Sequence, residues 1–150
     1  MIFYKIRALI LGYTLHSIAF LLCLKLPPKI SVTAFIEKDG LFLVLNLSYR
    51  KGFGFPGGMV EGTETLEEAL VREVKEETGL KVTALHYITS KKAVQYGFPV
   101  LVAAYAVETT GVITASVEGE LYFKTSAEIL ANCAYQNSKE AFLEYLSFKK

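Results

Sequence analysis

GMVEGTETLEEALVREVKEETGL, running from Gly58 to Leu80, is the stretch on which the reading of this chain turns. Thr65 and Glu68 stand at capping-box spacing, and Leu66, Ala69, Leu70 and Val74 recur at three and four residues. With Gly79 as a stop, the pattern predicts a helix over Thr65 to Thr78. Seven of the fifteen acids of the chain fall between Glu61 and Glu77. At about 100° per residue, Glu73, Glu76 and Glu77 share one arc of about 100°, expected to point away from the Leu66 and Leu70 side. Carboxylates this crowded repel one another unless a cation sits among them. An all-oxygen donor set suits a hard ion, Mg2+ or Mn2+, rather than zinc. The competing reading of the same spacing is a charged solvent face on an amphipathic helix.

Outward from this segment, Arg50 to Gly58 (RKGFGFPGG) holds four glycines in nine residues, which reads as a loop whose backbone can approach a ligand closely. Before it, Ile30 to Glu37 and Leu41 to Leu47 read as strands, joined at Asp39-Gly40 in a β-hairpin. After it, Lys81 to Thr89, Val100 to Glu108 and Leu121 to Lys124 read as strands, and Ser126 to Ala134 and Ser138 to Ser147 as helices. The class is α/β, with no internal repeat and no low-complexity tract.

Gly58, Glu64, Arg72, Glu73, Val74, Glu76, Glu77, Gly79 and Leu80 match the Nudix box, G-x5-E-x7-R-E-U-x-E-E-x-G-U with U aliphatic, at every fixed position. The chain therefore resembles a Nudix hydrolase, and the similarity runs from about Ile30 to Phe123, with Pro56-Gly57-Gly58 leading into the box. The resemblance implies an α/β/α sandwich around a mixed sheet, and Mg2+-dependent hydrolysis of a nucleoside diphosphate linked to another group X. A pyrophosphate repels a nucleophile until its charge is neutralised, which is why such chemistry needs divalent metal. By resemblance, metal binding falls to Glu73, Glu77 and the Gly57 carbonyl, with Glu76 as ligand or base. Arg72 is expected to orient Glu73 through a bidentate pair, and Glu64 to act as a supporting partner across the loop or as a ligand through water.

Glu118 and Glu120 are further candidates for the general base, since family members differ in its position. Tyr96 falls near a tyrosine of some dinucleoside polyphosphate hydrolases, and Phe53 stands where many members have tryptophan, a residue this chain lacks. The motifs that mark coenzyme A or NADH pyrophosphatases are not evident, so X is left unnamed. The alternative function is a Nudix-fold domain that senses a nucleotide or ADP-ribose without turnover. Such sensors often lose a box carboxylate, and here all are present.

The 150 residues carry a net charge of +1 and are 52% apolar, which fits one folded domain, excludes a disordered chain and gives no sign of a nucleic-acid binder. The expected partner is a nucleotide-type small molecule; oligomeric state is open, with a homodimer as one reading. Mean hydropathy is high at +0.34, and the excess is local. Residues 1–28 contain 19 apolar residues, so the other 122 contain 59, about 48%, an ordinary globular value. Ala8 to Leu24 is a 17-residue apolar run after Lys5 and Arg7, broken by Gly12, Thr14, His16 and Ser17, whose positions scatter around a helical wheel. It is short for a bilayer span and lacks a signal-peptide cleavage site. Two readings stay open for residues 1–28, a hydrophobic helix packed on protein or a membrane anchor, with the Nudix domain over 29–150. His16 reads as a tolerated polar residue. Cys23 and Cys133 have no metal-site spacing and read as free thiols, which places the chain in the cytoplasm, with membrane association through residues 1–28 as the variant.

Overall fold

The computed structural model describes residues 17, 28–47, 51–95, 97–114 and 119–149. Arg50, Tyr96, Glu118, His16, Cys23 and, apart from Ser17 and Pro28, the N-terminal segment lie outside the described residues. Among the described residues the named elements follow in the order β1 (Lys29–Lys38), β2 (Leu41–Leu47), β3 (Phe53–Gly54), α1 (Leu66–Thr78), β4 (Lys81–Gln95), β5 (Phe98–Thr110), β6 (Gly119–Lys124), α2 (Ser126–Asn132) and α3 (Gln136–Phe148).

The β1–β2 hairpin turns at Asp39 (φ 53°) and Gly40 (φ 77°), both left-handed as the two-residue turn requires. β1 pairs with β2 only at Glu37–Phe42 and Lys38–Leu41, and then the two strands part. On its other edge β1 runs parallel to β5 from Lys29–Val100 to Ile36–Val107, and β5 pairs antiparallel with β4. β2 continues with β3 and β6, giving a mixed sheet.

Side-chain alternation along β1 divides the core. Val32, Ala34 and Ile36 face α1 and meet Ala69, Leu70 and Val74, with Ala103, Tyr105 and Val107 of β5. Phe35 faces the opposite way, into a cluster with Phe42, Phe55, Ile129, Phe142 and Tyr145. Phe142 is its hub, with ring centroids 4.8 Å from Phe42, 4.9 Å from Phe55 and 5.4 Å from Phe35. Helices thus cover both faces, the α/β/α sandwich expected from the box.

Several boundaries differ from the sequence reading. β4 runs on to Gln95 and β5 begins at Phe98, because they close a long hairpin. Lys91 and Lys92 interrupt the apolar pattern of β4, and an edge strand tolerates such residues. α2 stops at Asn132, since Cys133 turns extended (ψ 128°) and the Ala134 N–H bonds the Phe53 carbonyl. α3 starts at Gln136, two residues earlier than the pattern indicates.

Candidate active site

Where β1 and β2 part, the loop before α1 fills the gap. The Ala34 and Val32 N–H groups donate to the Pro56 and Gly58 carbonyls at 2.8 Å, and the Val60 N–H donates back to Ile30 at 3.0 Å. The glycine-rich loop is therefore bonded onto the edge of β1 like an added strand. Gly57 adopts φ 147°, and a Cβ there would collide with the Val32 carbonyl. A Cβ at Gly58 would overlap the Glu73 carboxylate. These two glycines let the backbone pass directly against the acids of α1.

α1 is fixed at both ends. The Thr65 hydroxyl accepts the Glu68 N–H while Glu68 takes the Thr65 N–H at 2.8 Å, a complete capping box. At the other end Gly79 is left-handed (φ 75°), its N–H bonded to Lys75, and Thr114 crowds against it while bonding the Thr78 carbonyl at 2.9 Å. In the first turn, the Tyr105 hydroxyl of β5 donates to Glu67 at 3.0 Å, and burial followed by that bond raises the Tyr105 pKa to about 12. Tyr105 and Thr114 carry no motif, so only the pairing of β5 and the return of the chain past α1 reveal them.

Arg72 organises the acids. Its Nε and Nη2 donate to the two Glu64 oxygens at 2.7 and 3.0 Å, Nη1 to Glu73 at 2.9 Å and more loosely to Glu76 at 3.4 Å, and Nη2 also to the Met59 carbonyl at 3.0 Å. The bidentate partner is thus Glu64, across the loop, and Glu73 receives a single bond. Glu64 also takes the Glu61 N–H, and the Arg72 bonds first, that N–H second, lower its pKa to about 2. The Glu64 bonds in turn hold Arg72 more firmly protonated than usual.

The carboxylate arc does not face away from the core. Glu77 is 8% exposed and its Oε2 accepts the Gly57 N–H at 2.8 Å. Helical arithmetic explains the correction, since Glu73 and Glu77 lie three residues beyond Leu70 and Val74 and so continue the core stripe. The loop, instead of the sheet, covers the stripe there. Glu76 is the exposed member.

The box thus brings together Gly57, Glu64, Arg72, Glu73, Glu76 and Glu77. Glu120 is placed elsewhere, on β6 opposite Asn46, with the Tyr122 hydroxyl bonded to it. Leu121 and Phe123 pack on the α1 side, so alternation turns Glu120 to the other face of the sheet. Among the described residues no three His, Cys, Asp or Glu side chains stand as a protein-only metal cage. The donor set nonetheless fits a hard divalent ion, which commonly takes one or two carboxylates and completes its shell with water and substrate phosphate. Glu73 pressed on the Gly58 backbone and Glu77 bonded to Gly57 are two such carboxylates, on either side of a glycine-only approach.

The family model for the NUDIX domain matches residues 26–141. The chain belongs to the Nudix family. Among curated Nudix relatives, it is 50% identical over 60 residues to the ADP-ribose pyrophosphatase of Methanocaldococcus jannaschii, a match covering 38% of this chain and 36% of that one. It is also 43% identical over 61 residues to the NAD-capped RNA hydrolase of Salmonella agona, covering 40% of this chain and 24% of the relative. The matches therefore span only about a quarter to a third of those proteins' own length. Among solved structures, the chain is similar to the E. coli ORF135 protein at 25% identity and a TM-score of 0.71, over 83% of this chain and 92% of that one. A NUDIX hydrolase from Nitrosomonas europaea shares the fold at 20% identity and a TM-score of 0.72, over 83% and 92% of the two chains.

Proposed function

We propose that this Nudix protein is a Mg2+-dependent hydrolase that cleaves the diphosphate bond of a nucleoside diphosphate linked to a further group, acting in the cytoplasm. The observation that carries the reading is the pair of box carboxylates, Glu73 and Glu77, held against the Gly57-Gly58 backbone with Arg72 clamping the loop beside them. Glu73, Glu77 and the Gly57 carbonyl are the residues that would hold the metal, with Mn2+ as a substitute. A divalent ion held there would neutralise phosphate charge and lower the pKa of a bound water.

The chain's own residues do the positioning. The Gly57 N–H fixes the Glu77 carboxylate, and Arg72 fixes Glu73 while tying the Met59 to Glu64 loop to α1. To Glu76, on the same arc and open to solvent, we assign the role of taking a proton from water. Glu64 is fully engaged by Arg72 and serves as a positioning residue. The named activities of the relatives, on ADP-ribose and on NAD-capped RNA, support a nucleotide-type substrate.

The test is release of phosphate or nucleotide from a panel of ADP-ribose, nucleoside triphosphates and dinucleoside polyphosphates, with and without Mg2+. Metal-dependent turnover of at least one member is expected. Tight nucleotide binding with no turnover under Mg2+ or Mn2+ would mean a sensor and overturn the reading.

A further inference from the structure

The sheet face that carries α1 is only partly covered by it. Ala103, Tyr105 and Val107 of β5 pack there with Val32, Ala34 and Ile36 of β1. Past Ala103, toward the β4–β5 turn, alternation puts Leu101 on the same face, beside Ile30 of β1 and Lys92 of β4, with Val94 beyond. Among the described residues Ile30, Leu101 and Val94 belong to neither core cluster, and Ile30 and Val94 are 41% and 78% exposed. Further along β4, Tyr87 meets the Tyr105 ring edge-on with centroids 5.5 Å apart, and is 57% exposed. Val71, one turn after Glu67 on α1, is 42% exposed. β4 ends the strand order, so its outer edge has no partner strand among the described residues. Apolar groups left open beside such an edge mark a contact surface.

We infer that this face takes a second copy of the chain, the two related by a two-fold axis that crosses the strands at the level of Ala103. Charge selects that occupant. Glu67 is exposed and holds the Tyr105 hydroxyl at 3.0 Å, so it marks the Tyr105 level, two residues to one side of Ala103. Lys92 pairs with Leu101, two residues to the other side. It is exposed and makes no ion pair among the described residues. Acid and base therefore mark levels about 7 Å to either side of Ala103 along the strands. A two-fold turn exchanges these levels. It brings Lys92 of each copy to Glu67 of the other, with the ammonium toward the other copy's Tyr87 ring. It also sets α1 of each copy over the uncovered Leu101 and Ile30 end of the other. An anionic lipid surface or a nucleic acid would instead be repelled by Glu67 and Glu68, both exposed. Tyr87 to Val94 spans only about 20 Å, so the contact is small and the dimer of micromolar strength.

Sedimentation equilibrium of the full chain over about a hundredfold range of concentration tests the inference. The parent should pass from the 16.6 kDa of one chain toward twice that mass. Lys92→Glu and Glu67→Lys each set like charges together on both sides of the axis, so each alone should dimerise at least about tenfold more weakly. An equal mixture of the two variants regains both opposite-charge pairs in the mixed dimer, and should associate within about threefold of the parent. Local damage by either substitution would give no such recovery. If Glu67→Lys fails to fold, Val94→Asp at an exposed position reads the same contact and should weaken association by about tenfold. A chain that stays monomeric throughout overturns the inference. So does a mixture no stronger than its components, or association unmoved by Lys92→Glu and Val94→Asp. Co-sedimentation with phosphatidylcholine and phosphatidylglycerol vesicles that Val94→Asp abolishes would give the face to a lipid surface, and overturns it as well.

Discussion

Arg72 holds the site together through geometry that an ammonium cannot copy. One planar guanidinium reaches both Glu64 oxygens, Glu73 and the Met59 carbonyl. In Arg72→Lys a single donor group replaces that fork, so the loop loses its tie to α1. Turnover is expected to fall by roughly one to two orders of magnitude and stability by about 1–2 kcal/mol, read by steady-state kinetics and urea denaturation. Unchanged kinetics would show that the fork is not needed. The Glu64 partnership was hidden in the sequence because it joins residues eight positions apart through a folded loop. The resemblance gave the bidentate pair to the adjacent Glu73 and left Glu64 as a supporting partner across the loop. Burial of Glu77 was in principle readable, since it stands seven residues after Leu70 on the same stripe, but what covers that stripe depends on the loop path.

Helix α1 was the most legible element, because its start, stop and core stripe are all local signals. Its capping box forms as the sequence indicates, with the Thr65 hydroxyl accepting the Glu68 N–H at 3.2 Å. Thr65→Ala removes that acceptor, and the loss expected is about 0.5–2 kcal/mol in a urea melt, with the site geometry kept by Arg72 and Gly57. A loss well outside that range would mean that the cap does more than close the helix. Strands β1 and β2 were equally legible through alternation and the Asp39-Gly40 turn. The end of β4 was not, because Lys91, Lys92 and Gln95 break the apolar pattern and only pairing with β5 keeps them in a strand. The splitting of β1 from β2, which makes room for the Gly57-Gly58 loop, has no signature in either strand alone.

For the whole molecule, acid stability offers a test that does not depend on substrate. Glu64 and Glu128 are both lowered from 4.5 to about 2, Glu64 chiefly by Arg72 and Glu128 chiefly by the Thr125 N–H of the second capping box. A carboxylate whose folded pKa lies below its unfolded value contributes stability that is present above 4.5 and lost as pH falls toward 2. Urea midpoints should therefore drop between pH 4.5 and about 3, and a Glu64→Gln, Glu128→Gln double variant should show a flatter decline over that window. Equal slopes would mean that neither pair is linked to folding.

The central claim is that Glu77 serves as a metal-binding charge held by the loop. Glu77→Gln separates the charge from the fold, because the amide oxygen can still accept the Gly57 N–H while losing its negative charge. Mg2+-dependent turnover and urea stability measured on the same preparation decide it. The account predicts turnover lowered by at least about a hundredfold, with stability within about 1 kcal/mol of the parent. Parent-like turnover in a folded Glu77→Gln protein would contradict it.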